Sequence, residues 1–128
     1  MKSILLIDDD ADDCLFFRKA LEAVSNYVVL YWKQDGDHLF ETIDTYRPFL
    51  IIIDYYMPKR SGLELLKQIK IHPDYNHIPV IIWSTSLLPN NVIEAYKDGA
   101  QAFIQKPFCY TDLVAELSGI LKKCETQF

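Results

Sequence analysis

The chain is poor in the features that mark several protein classes. Its three cysteines, Cys14, Cys109 and Cys124, are odd in number and widely separated, so neither a disulfide framework nor a thiolate metal site is indicated. Reduced thiols in a cytoplasmic protein are the plain reading. His38, His72 and His77 fall in polar, turn-rich surroundings and read as surface residues. No apolar run approaches the roughly 20 residues of a membrane span, and Met1-Lys2-Ser3 leads into a strand with no room for a signal peptide. Positive charge is also scarce. Thirteen Lys and Arg against 18 Asp and Glu give a net charge of -5, which argues against a dedicated nucleic-acid surface.

What is present is a regular alternation of apolar strands and amphipathic helices over 128 residues, the length of one domain. The central stretch is Leu50–Gly62. Four apolar residues run without alternation into Asp54, which suits a strand covered on both faces, and Met57-Pro58 then stops it. Strands are expected over Ser3–Ile7, Tyr27–Trp32, Phe49–Asp54, Pro79–Trp83 and Ala102–Ile104. Helices are expected from the acidic run to about Val24, after an Asp35-Gly36-Asp37 turn and cap, over Gly62–Ile71, from Pro89 to about Asp98, and over about Tyr110–Lys122. Ser61 and Glu64 have capping-box spacing, Gly99 stands where a left-handed cap belongs, and Cys109 is a poor cap that leaves Thr111 as an alternative start. Five strand–helix units with short connections predict a three-layer α/β/α sandwich around a parallel sheet.

Open α/β sheets carry ligands at the carboxyl ends of their strands. Here four strand exits carry chemistry: Asp8 and Asp9, Asp54, Ser84 and Thr85, and Lys106. Each acid alone is explained as a helix cap, but the repetition at successive exits is not. Carboxylates about 5 Å apart repel by about 3 kcal/mol per pair at an effective dielectric near 20. One ammonium cannot offset three such pairs, whereas a hard divalent cation can. All-oxygen ligands suit Mg²⁺ better than zinc. With a cation in place, one carboxylate can attack a phosphoryl donor while Lys106 and Ser84 hold its oxygens. Asp54 is the best nucleophile because it ends the most buried strand.

The acidic pair Asp8-Asp9, the run Asp54…Met57-Pro58…Gly62, Ser84 thirty residues beyond Asp54 and Lys106-Pro107 twenty-two further on together resemble a response-regulator receiver domain, the family of the chemotaxis response regulator. The resemblance covers Lys2 to about Lys123. It implies the flavodoxin-like strand order 2-1-3-4-5, with residues 1–128 as a single receiver domain. It further implies Asp54 as phosphoacceptor, Mg²⁺ held by Asp8, Asp9, Asp54 and the Tyr56 backbone carbonyl, and phosphoryl contacts from Ser84 and Lys106. Ser84 and Phe103 are implied as switch residues, Phe103 without the hydroxyl often found there, and Lys106–Pro107 is expected cis. The implied partners are a histidine kinase or phosphotransfer protein and a downstream protein, with no direct nucleic-acid or membrane contact. The implied oligomeric state is a monomer or a phosphorylation-dependent dimer. Tyr55-Tyr56 beside the acceptor either gates the site or packs under the loop.

Rival functions fit less well. An aspartyl-nucleophile phosphatase wants a second Asp two residues on, where this chain has Tyr56. A flavin or nucleotide binder wants a Gly, Ser or Thr-rich first loop, where this chain has Asp8-Asp9-Asp10. A constitutive docking module would not need every polar position of the site filled.

Overall fold

A computed structural model describes residues 2–126. The elements are β1 (Lys2–Ile7), α1 (Ala11–Val24), β2 (Val28–Lys33), α2 (Leu39–Tyr46), β3 (Leu50–Asp54), α3 (Gly62–Ile71), β4 (Val80–Ser84), α4 (Pro89–Lys97), β5 (Ala102–Gln105) and α5 (Tyr110–Thr126). All strand pairs are parallel and the sheet order is β2-β1-β3-β4-β5, as expected.

Period-two alternation sorts the strand residues between two cores. Leu5, Ile7, Ile51, Ile53, Val80 and Ile82 face α2, α3 and α4. Ile4, Leu6, Leu30, Ile52, Ile81 and Trp83 face α1 and α5. Every residue of β3 and β4 is buried, which explains their unbroken apolar runs. Each such Ile or Leu contributes roughly 1.5–3 kcal/mol through apolar burial.

The helix boundaries follow local chemistry, with exceptions. Ser61 caps α3 by accepting from the Glu64 N–H, and Gly99 adopts φ 104, as expected. At α2 the expected acidic cap is absent. His38 stands at the N-cap with φ 56 and no side-chain hydrogen bond. The Asp37 carboxylate is instead taken by Arg60 at 2.8 Å and Lys59 at 3.3 Å, which tie it to the segment after β3. Helix α5 begins at Tyr110 rather than Thr111. It runs on to Thr126 instead of ending near Lys122, and residues 127 and 128 lie outside the described residues. No cis peptide bond occurs among the described residues, so Lys106–Pro107 is trans, against expectation. No helix of the described residues is long and apolar enough to cross a membrane.

Candidate functional site

The carboxyl ends of β1, β3, β4 and β5 deliver their polar residues to one place. Asp8 follows β1 and is fully buried. Its Oδ1 accepts from the Asp10 N–H at 2.9 Å, its N–H donates to Lys33 O, and its carbonyl accepts from Trp32 Nε1 at 2.7 Å. Asp10 turns away from this cluster and caps α1, accepting from the Asp12 and Asp13 N–H groups. Asp9 is exposed beside Asp8.

Asp54, the last residue of β3, is buried at 5% exposure, and its Oδ1 accepts from the Tyr56 N–H at 3.2 Å. The chain behind it passes very close to α3. A Cβ added at Gly62 would run into the Asp54 carbonyl, so glycine permits this approach of backbone to backbone. Ser84 ends β4 fully buried, its Oγ accepting from Ser86 N–H at 3.3 Å and its carbonyl from Lys106 N–H at 2.7 Å.

The Lys106 ammonium closes the group. It lies 3.1 Å from Asp8 Oδ2, 3.2 Å from Asp54 Oδ2 and 2.7 Å from Asp13 Oδ2, and 5.0 Å from the centre of the Trp83 ring. Asp13 reaches in from the first turn of α1 and was not expected here. In the sequence it reads as an acid favoured by the helix dipole, and no spacing rule links it to a lysine 93 residues away. Thr85 is exposed, and its carbonyl accepts from Gln105 Nε2 at 3.2 Å.

The electrostatics are those of a site short of positive charge. Burial, reinforced by the Asp8 charge and opposed by Lys106, pushes the Asp54 carboxyl up to about 7. Burial raises Asp8 as well. At Lys106 burial works against the charged form. The hydrogen bond to Asp13 and the charges of Asp8 and Asp54 outweigh it and hold the amine above its ordinary value.

The donor set fits the cation expected from the sequence. Oxygens of Asp8, Asp9 and Asp54 all lie within 4.8 Å of one another. Asp8 Oδ2 is buried and, although close to Lys106, makes no hydrogen bond, which leaves a buried oxygen short of a ligand. Oxygen-only donors around a charge deficit suit a hard cation that keeps part of its water, such as Mg²⁺.

The aromatic residues near the site divide. Tyr55 is half-buried and packs against Phe103 with ring centres 5.8 Å apart, while Phe103 itself is turned into the core. Tyr56 is exposed, touches Tyr55 edge-on and accepts a hydrogen bond from Asn91 Nδ2 at 3.4 Å. Tyr96 of α4 places its hydroxyl 3.1 Å from the Phe103 N–H and accepts from it.

Comparison with known proteins converges on one family. Residues 4–118 match the response regulator receiver domain. The chain is 30% identical over 122 residues to the response regulator RppA of Synechocystis sp., covering 94% of this chain and 50% of the relative. It is 31% identical over 122 residues to the phosphate regulon transcriptional regulatory protein PhoB of Pseudomonas aeruginosa, covering 95% and 52%. The chain thus spans about half the length of the curated relatives it matches. Among solved structures, the Mn²⁺-bound response regulator Rcp1 superposes with a TM-score of 0.84 at 27% identity, covering 100% of this chain and 97% of that one. The phosphorylated cyanobacterial phytochrome response regulator RcpA superposes with a TM-score of 0.87 at 25% identity, covering 99% and 96%. A parallel sheet in the order β2-β1-β3-β4-β5, with acids at two of its exits and a lysine at a third, agrees with these matches, and the chain belongs to the response regulator receiver domain family, the signalling modules of two-component systems.

Proposed function

We propose that this receiver domain takes a phosphoryl group onto Asp54 from a histidine kinase or phosphotransfer protein, in a Mg²⁺-dependent reaction. The observation that carries the reading is the convergence of Asp8, Asp54 and Lys106 from three strand exits, with carboxylate oxygens of Asp8, Asp9 and Asp54 close enough to share one cation. Asp8, Asp9, Asp54 and the Tyr56 carbonyl would hold Mg²⁺. When bound, the ion supplies the positive charge that ionises Asp54 and screens it from the donor's phosphate.

The remaining work falls to the chain. Asp54 attacks phosphorus as the carboxylate, the bond from phosphorus to the donor nitrogen breaks, and its electron pair leaves with that nitrogen, which takes up a proton. The Lys106 ammonium, held 3.2 Å from Asp54, meets the charge on the phosphoryl oxygens, and the buried Ser84 hydroxyl, which accepts from the Ser86 N–H, donates its own proton to them. Drawing Ser84 inward pulls on the segment leading to α4, where Phe103 and Tyr96 respond, and output passes to another protein through the α4, β5 and α5 face. Neither a direct nucleic-acid contact nor a membrane contact is part of this reading. A cytoplasmic setting and a monomer, or a dimer formed on phosphorylation, fit it.

The test is labelling by acetyl phosphate followed by intact mass. Wild type with Mg²⁺ should gain one phosphoryl group, chelation should prevent the gain, and Asp54→Asn should not be labelled. Undiminished labelling of Asp54→Asn would remove Asp54 from the role.

A further inference from the structure

Lys106 has one more anionic partner than the proposed chemistry uses. Asp13 is not one of the three carboxylates grouped around the candidate cation position. Yet it makes the shortest ion pair at the site, 2.7 Å against 3.1 Å for Asp8 and 3.2 Å for Asp54, and it accepts a hydrogen bond from the ammonium. Its backbone is anchored, because Asp13 sits in the first turn of α1 and its own N–H is held by the Asp10 cap. The lysine is confined as well. Its side chain is 12% exposed and stacks over the Trp83 ring.

An anion arriving at Asp54 therefore meets an ammonium already engaged by a carboxylate anchored on α1. It must share that charge and also face Asp13 itself as a like charge. Asp13 has the opposite effect on the cation ligands. By drawing the ammonium toward α1, it keeps part of that positive charge off Asp8 and Asp54 and leaves them free for metal.

We infer that Asp13 is a positioning residue that competes with the bound anion for Lys106 and spares the metal ligands from it. This rests on the reading of Asp54 as phosphoacceptor, and it yields two affinities that move in opposite directions. In Asp13→Asn, fluoroberyllate at saturating Mg²⁺ should bind about three- to tenfold more tightly, while Mg²⁺ alone should bind about two- to fivefold more weakly. Asp13→Ala should repeat the pattern, and Asp13→Glu, which keeps the charge, should move both constants back toward wild type. Calorimetric titration reads the metal, and ¹⁹F NMR of bound fluoroberyllate reads the anion.

A merely structural role for Asp13 would weaken both. Fluoroberyllate affinity that is unchanged or weaker in both Asp13→Asn and Asp13→Ala overturns the inference while leaving Asp54 in place. Wild-type protein that binds no fluoroberyllate in Mg²⁺ overturns the Asp54 reading, and the inference with it.

Discussion

Helices α3 and α4 lie in the same layer, follow neighbouring strands and have nearly equal lengths, yet they are held very differently. Five of the ten residues of α3 are buried: Gly62, Leu63, Leu65, Leu66 and Ile69. Of the nine residues of α4 only Ala95 is buried, and Ile93 and Tyr96 are 64% and 48% exposed. Helix α3 starts on a side-chain cap and on the tight Gly62 approach to Asp54, whereas α4 starts at Leu88 and Pro89 with no side-chain cap. One helix is part of the core and the other rests on it. Elements with few buried apolar contacts open at low free-energy cost, and such elements are the ones a site can move.

The largest test of this contrast is truncation of one apolar residue in each helix. Leu66→Ala should cost about 2–5 kcal/mol in denaturant unfolding, and Ile93→Ala less than about 0.5 kcal/mol. Similar losses would place α4 in the core after all.

A smaller effect comes from pH. Because burial raises the Asp54 carboxyl from 3.8 to about 7, the native state binds a proton there that the unfolded chain has already released. Stability of the metal-free protein should therefore fall as pH rises across that interval and level off above it. Saturating Mg²⁺ should flatten the slope. Hydrogen exchange sharpens the comparison. Protection of α3 amides should track this global change, while α4 amides, exchanging through local opening, should hardly respond. A parallel response would mean that the two helices open together.

The smallest effect concerns what attachment α4 has. Tyr96→Phe removes the acceptor for the Phe103 N–H and should cost about 1 kcal/mol, with faster exchange at that amide. No change in either would show that this hydrogen bond does not couple α4 to β5.

The elements that the sequence disclosed are those written in local patterns. The unbroken apolar runs of β3 and β4, the Ser61–Glu64 spacing and the Gly99 cap each report on a neighbourhood of a few residues, and each strand exit announced its polar residue. What was not legible depends on distance along the chain. Asp13 looked like one more acid at a helix start, because its pairing with Lys106 exists only after α1 and β5 are folded side by side. The α2 cap was misplaced for the same reason: Asp37 matched a capping position, but Arg60 and Lys59 outcompete the helix N-terminus for its carboxylate. The cis expectation at Pro107 came from likeness alone, and no local residue pattern bore on it.

Both tryptophans of the chain ended up against the site, for unlike reasons. The Trp32 indole donates to the carbonyl of Asp8, while the Trp83 ring lies beneath Lys106 with its buried N–H making no hydrogen bond. Fluorescence depends on hydrogen bonding at the indole and on nearby charge, so the two chromophores sense different events. A shift of the first acidic loop perturbs one, and withdrawal of the ammonium perturbs the other. The molecule thus carries a two-channel optical gauge of its own site, and replacing either ring by phenylalanine would separate the channels.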